Sequence, residues 1–534
     1  MMAISNLAIW FAVPSCVFLA SGIVWQITCN SRPKWLKELH TLGEPRSQKL
    51  AGTATVCGGS IAGTVTARIL ADHFARVIIV DPEIQEPDKP KTRIMQYNAA
   101  HVFLSLFVYG ARRLWPNFDE ELLAAGCRLL PADTQFHYSG VLPRTPYQDY
   151  PVGGLPTTLV SRRSTAQKLL YRLLMQHPTA ANITILAGTV RGVVASEDMR
   201  SIQSVVVRRA DGTETSLNDA ALVADCTGMS QAGLKWLKNS GFSLPGNIRC
   251  SYTGNLRYAT LCFTVSPELA ATLPVPEHTS QTTFVYGNIG HFDYDSSTFG
   301  LLKGDNNTMQ LVMGNYGDES ALPHVASEVV PFLEAVRGHE PIPSWFLETI
   351  AILCESGNPS FDNIKIATQS YIQYHLVPEG SLPSNFVAIG DANIQLNPVY
   401  GQGFAKIILN NIALNTLLNK IDPKLLQLPR NFSVRYFKDN AVHTNGLWDA
   451  TRFHDYGFPN CEPMKGETRA TGRLARWFEL KLISAATQDD EVASALWHVR
   501  HLLRAESALM APTVLWKILC TPSRFQVRFN DTHI

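Results

Sequence analysis

No CxxC pair, no internal repeat and no low-complexity tract occurs in the 534 residues. The ten cysteines are dispersed, which argues against a zinc ribbon, a dense disulfide scaffold and any metal site built on paired thiols. Charge is sparse and balanced: Asp, Glu, Lys and Arg make up 17% of the chain, and 46 basic against 45 acidic residues leave a net charge of +1. That balance supplies no field for nucleic acid. With 46% hydrophobic residues the chain is not disordered either. Its length predicts two or three domains.

One further absence is local. From Leu7 to Ile27 there is no charged side chain across 21 residues, enough for a helix to cross the hydrocarbon core. No Lys or Arg precedes this stretch, whereas Arg32, Lys34 and Lys37 follow it. The positive-inside rule then places the bulk of the chain on the cytosolic side. The pattern predicts a single-pass membrane anchor over residues 1–30, at the endoplasmic reticulum, with the catalytic domain in the cytosol. A cleaved signal peptide and an internal core helix are the competing readings; the lack of a basic leader disfavours the first, and Pro14 the second.

What is present begins at residue 51, with "AGTATVCGGSIAGTVTARILADHFARVIIVDPE". Thr53–Cys57 reads as a buried parallel strand, Gly58-Gly59-Ser60-Ile61-Ala62-Gly63 as a turn, and Thr64–His73 as a helix. A second strand, Val77–Val80, ends in Asp81, 18 positions after the last glycine. This βαβ order predicts a dinucleotide site in which Gly58, Gly59, Ser60, Ala62 and Gly63 cradle the pyrophosphate and Asp81 takes a ribose. Ser60 stands where the usual middle glycine would be, small enough to let the phosphate approach.

The second motif lies far downstream, in "FVAIGDANIQLNPVYGQGFAKIILNNIAL" (386–414). Gly390-Asp391, Pro398 and Gly401-Gln402-Gly403 resemble the GD…P…GQG segment of flavin-dependent aromatic hydroxylases, the class A flavoprotein monooxygenases, with NPVYGQG at Asn397–Gly403 closest to one subgroup. Arg93, Gln96 and His101 resemble that family's R…Q…H stretch, Ser161-Arg162 its SR segment, Gly188-Thr189-Val190 its adenine-side strand, and Leu222–Gly228 its D-A-T-G strand. The resemblance runs from about Thr53 to the C-terminal helices. It implies FAD, with Arg162 approaching the cofactor, Val190 on the adenine side, Asp391 at the ribityl chain, Pro398 beside the reactive ring edge, and the backbone of Gly401–Phe404 facing the pyrimidine. Ile394 departs from the family's GDAAH histidine.

The fold so implied is α/β: a Rossmann-like FAD-binding domain of the aromatic-hydroxylase type (51–250 and 386–420), interrupted by a β-rich substrate domain (251–385). Residues 421–534 follow as C-terminal helices, and the anchor precedes it all. Runs at 258–265, 282–290 and 308–317 supply the expected strands of the insertion. Trp477, Trp497 and Trp516 read as core. No second Gly-rich turn is evident for NAD(P)H, which in this family docks transiently. The implied activity is hydroxylation or epoxidation of a small lipophilic molecule through a flavin C4a-hydroperoxide, in specialised metabolism. A halogenase or reductase on the same fold and a non-catalytic flavin-binding scaffold are the alternatives; the WxWxIP segment of tryptophan-type halogenases does not occur. His291, Tyr294 and Tyr400 are candidates to line a pocket, but no residue is assigned as catalytic and none as a metal ligand.

Overall fold

The computed structural model describes residues 21–317 and 322–525. At its centre is a five-stranded parallel sheet in the order Phe386–Ala388, Ala220–Asp225, Leu50–Cys57, Phe74–Val80, Ile183–Leu186. Thr53–Cys57 is buried throughout, as a parallel strand must be when both its faces are covered. The helix Gly403–Asn419 explains one cover: every residue from Phe404 to Leu418 is buried, the mark of a core helix. The chain returns to the parallel sheet with the strand Phe386–Ala388, and this helix follows it.

Between these two parts lies a six-stranded sheet ordered Ser360–Ile372, Arg249–Thr264, Thr308–Tyr316, Ser297–Lys303, Phe284–Ile289, Phe136–Tyr138. Strand alternation gives it two different faces. Ala259, Leu261, Leu311 and Met313 pack with Phe346 and Ile350 of the helix Ser344–Ser356, forming a second core. The intervening Tyr258, Val312 and Gly314 face a cavity on the side of the parallel sheet. Three of its strands, Phe136–Tyr138, Ser297–Lys303 and Ser360–Ile372, lie outside the expected runs. Ser360–Ile372 is an edge strand carrying Asp362, Asn363 and Lys365, whose polarity protects the edge and hides the strand from an apolar-run search.

The expected membrane anchor is overturned. Among the described residues no helix is long and apolar enough to cross a membrane, and the localisation built on the anchor falls with it. Residues 1–20 of the expected span lie outside the described residues. Residues 21–30 are helical. They lie against the C-terminal helices, where Gln26 Nε2 donates to Thr513 Oγ1 at 3.0 Å and Cys29 is buried with Val492, Val514 and Ile518. Trp497 does lie in the core, but Trp516 is 70% exposed, because it projects from the outer side of the terminal helix Pro512–Cys520.

Buried His73, His291 and His443, with half-buried His101, make the fold sensitive to acid. Burial pushes His101 down to about 3, and His73, His291 and His443 to about 4. The unfolded chain takes up these protons near pH 6.5, whereas the folded chain resists them until the lower values. Each group therefore contributes stability above pH 6.5 that is lost as pH falls toward 4, at up to ~1.4 kcal/mol per pH unit. Urea midpoints should drop steeply between pH 6.5 and 4.5; a flat or rising series would contradict the burial argument.

Candidate functional site

The parallel strand Leu50–Cys57 delivers the chain to Gly58, whose φ of +112° suits glycine; a Cβ there would come within 2.5 Å of the Cys226 carbonyl oxygen. The helix Ile61–His73 then starts, and its first intrahelical bond runs from Thr64 N–H to the Ser60 carbonyl. The N–H groups before Thr64 thus precede the helix ladder and supply its positive end. A Cβ on Gly63 would overlap the Gly58 carbonyl oxygen, so glycine alone lets the helix sit this close to the turn. Asp81 faces it, its carboxylate accepting from Gly59 N–H and Glu83 N–H, each at 2.8 Å. Ser60 has a task of its own: its hydroxyl donates to Gln167 Oε1 at 3.0 Å, tying the turn to the helix Arg163–Gln176.

Beside this turn lies a cavity of about 670 Å³, lined by Gly58, Gly59, Ser60, Asp81 and Val190. A second cavity of about 200 Å³ is lined by Ala62, Pro398, Gly401, Gly403 and Phe404. The two share Ser60, Gln96, Arg163, Cys226, Gly228 and Asp391, and so abut as two parts of a cleft. Motifs separated by more than three hundred residues therefore meet. Gly63, Arg162 and Gln402 line neither cavity. Nor do His291, Tyr294 and Tyr400.

Arg162 is displaced from its expected role by one position. Its guanidinium is bound bidentately by Asp305, Nε to Oδ1 at 3.1 Å and Nη2 to Oδ2 at 2.8 Å, and its N–H donates to Oδ1 at 2.7 Å. The Asp305 side chain is fully buried; burial alone would raise its carboxyl, but the Arg162 and Thr165 hydrogen bonds hold it below its usual range. Arg163, the next residue, faces the cleft instead. Among the described residues its guanidinium pairs with no carboxylate: Nη1 approaches His101 Nε2 at 3.4 Å, Nη2 lies 3.5 Å from Ser60 Oγ, and Nε is buried without a hydrogen bond. Burial lowers its pKa accordingly. A desolvated cation in no ion pair among the described residues, at the junction of two cavities, suits an anionic ligand.

The far end of the cleft is built on the second motif. Gly390 N–H donates to Asn410 Oδ1 at 2.8 Å, and a buried amide chain continues from Asn410 Nδ2 to Asn440 and from Asn440 Nδ2 to Asn393. This chain fixes the turn that presents Asp391. Gly401 has φ +67°, and a Cβ there would meet Val102 at 2.9 Å. The helix Gly403–Asn419 opens at once, its first ladder bond running from Lys406 N–H to the Gln402 carbonyl, so a second helix N-terminus points into the cleft. The loop before it is held from behind: Asn397 Nδ2 donates to Asp455 Oδ1 at 2.7 Å, and Tyr252 donates to the same carboxylate at 2.7 Å. Burial raises the Asp455 carboxyl despite these donors.

The walls around this end are aromatic. Phe404 stacks on Phe103 at 4.4 Å, and Phe136 meets Phe284 edge-on at 5.1 Å. His101 donates from Nδ1 to the Ala99 carbonyl at 2.8 Å in the tautomer that leaves Nε2 to accept from Arg163. Sequence reading missed Arg163, Lys406, Asn410 and Asp455. Only Lys406 carried a signal, as the one charge in the apolar helical run "FAKIILNNIAL".

No known protein-family profile matches the chain. Protein Rv3254 of Mycobacterium tuberculosis (strain ATCC 25618 / H37Rv) is 23% identical over 477 residues, covering 86% of this chain and 91% of its own. Among solved structures, a flavoprotein/dehydrogenase from Cytophaga hutchinsonii superposes with a TM-score of 0.56 at 12% identity, over 87% of this chain and 95% of that one. The flavin-dependent brominase Bmp2 gives 0.52 at 13% identity (87% and 98%). The p-nitrophenol 4-monooxygenase PnpA from Pseudomonas putida DLL-E4 gives 0.51 at 15% identity (86% and 100%). The chain thus has the α/β fold that these flavoproteins share.

Proposed function

We propose that the protein is an FAD-dependent monooxygenase of the class A type, acting with NAD(P)H and O₂ on a small lipophilic molecule in specialised metabolism. The observation that carries this reading is the pair of abutting cavities with two helix N-termini aimed into them and Arg163 at their junction, in no ion pair among the described residues. The residues fit the cofactor. The turn Gly58–Gly63 and Arg163 would hold the pyrophosphate, Asp81 a ribose, Val190 the adenine side, Asp391 the ribityl chain, and the N–H groups of Gly403 and Phe404 the pyrimidine. Bound FAD, once reduced by NAD(P)H, supplies activation of O₂ and transfer of one oxygen atom.

The protein's own part is positional. The aromatic walls exclude water and favour an apolar substrate, and the second helix N-terminus stabilises negative charge. His101 stays neutral at physiological pH, so it serves as a hydrogen-bond partner of Arg163 and not as a second cation. The purified chain should be yellow, and its NAD(P)H oxidation should be coupled to substrate-dependent O₂ uptake, with ¹⁸O from ¹⁸O₂ in the product. Arg163→Met should weaken FAD binding about 100-fold, within the range for truncating one partner of a desolvated charge contact; Arg162→Met should leave the affinity within a few-fold. A colourless protein that takes up no FAD, or equal losses in the two variants, would refute the assignment. A brominated product with bromide would move it to the halogenase alternative.

A further inference from the structure

Lys406 occupies a place that is costly for an ammonium in two ways. Its side chain is fully buried, and it sits in the first turn of the helix Gly403–Asn419, at the positive end of the helix dipole. Nζ donates to Asp391 Oδ1 at 2.7 Å and to the Ile394 carbonyl oxygen. An ammonium has three donors, so one remains without a partner among the described residues, and Lys406 lines the smaller cavity. Asp391 does not account for the lysine, because its side chain is 38% exposed and water can serve it. A pair held only for stability would be better replaced by apolar side chains.

We propose that Lys406 is kept as a fixed positive charge that favours the reduced form of the bound cofactor over the oxidised form. The inference rests on the FAD reading above. Hydride transfer from NAD(P)H delivers two electrons and one proton, so the cofactor gains one unit of negative charge while the nicotinamide is oxidised. A cation at the cavity wall lowers the free energy of that charged form and leaves the neutral form nearly unchanged.

The test is the midpoint potential of the FAD-loaded protein, measured by equilibration with a reference dye. In Lys406→Met the preference for reduced over oxidised FAD should fall by roughly 10- to 100-fold, a drop of ~30–60 mV for a two-electron couple. Asp391→Asn keeps a polar side chain for the cofactor, which alanine would not, and should shift the preference the other way, because Lys406 is then left without its carboxylate. The double variant carries neither charge, which keeps the comparison available should Lys406→Met alone fold poorly. Its potential should lie below that of Asp391→Asn by a similar factor. Equal potentials in Asp391→Asn and the double variant would make Lys406 a counter-ion of Asp391 and overturn the inference, while FAD binding by the wild type would leave the proposed function standing. A wild-type chain that takes up no FAD would remove both.

Discussion

Asp391→Ala should destabilise the protein by about 2–3 kcal/mol before any cofactor is added. Among the described residues, the substitution strips the buried Lys406 ammonium of its only carboxylate and leaves the Ile394 carbonyl as its sole acceptor. The figure lies below that for breaking a fully buried pair because Asp391 itself is 38% exposed. The same variant should lose its FAD, since Asp391 is shared by both cavities. The two effects separate on adding Lys406→Met: the double substitution should recover most of the urea midpoint and none of the flavin, read as absorbance at 450 nm per chain. An Asp391→Ala protein as stable as the wild type would show that the ion pair carries no weight.

Gly63→Ala should be comparably damaging at the other end of the cleft. The added methyl would overlap the Gly58 carbonyl oxygen and lie 3.4 Å from Val56 Cγ1. The first of these is backbone held between parallel strands, so it cannot swing aside like a flexible side-chain tip. Relief requires the helix Ile61–His73 to move off the turn, at a cost of roughly 2–3 kcal/mol and with the N–H groups re-aimed. Gly403→Ala is the control. Nothing lies within 4 Å of a Cβ there, and its φ is not in the left-handed region, so stability should change by less than ~0.5 kcal/mol. Denaturation of the two variants side by side tests the argument, and a Gly63→Ala protein with wild-type stability would sink it.

The residues explain which parts of this architecture were legible in advance. Glycines that no other residue can replace, at 58, 63 and 401, stand out in any reading, because the backbone itself needs them. The acid at the end of the second strand and the apolar run before Gly390 are equally local. What depends on a distant partner is not readable. In "SRR" at 161–163 the sequence offers two arginines, and Asp305, far along the chain, decides which one is withdrawn from the cleft. The charge-free stretch 7–27 shows what a helix is able to do in lipid, but not that Gln26 meets Thr513. Likewise, Asp455 acts on the Pro398 loop from the end of a helix whose sequence looks like any other amphipathic segment.

The strand order also governs how the chain is made. Phe386–Ala388 pairs with Ala220–Asp225, so that edge of the parallel sheet stays open until the ribosome has translated the whole intervening segment. Residues 226–388 take roughly 8–30 s to synthesise at 5–20 residues per second. Through that interval Ala220–Asp225 presents an unpaired, apolar edge to the cell. Until that strand arrives, the edge is open to pairing with the edges of other chains.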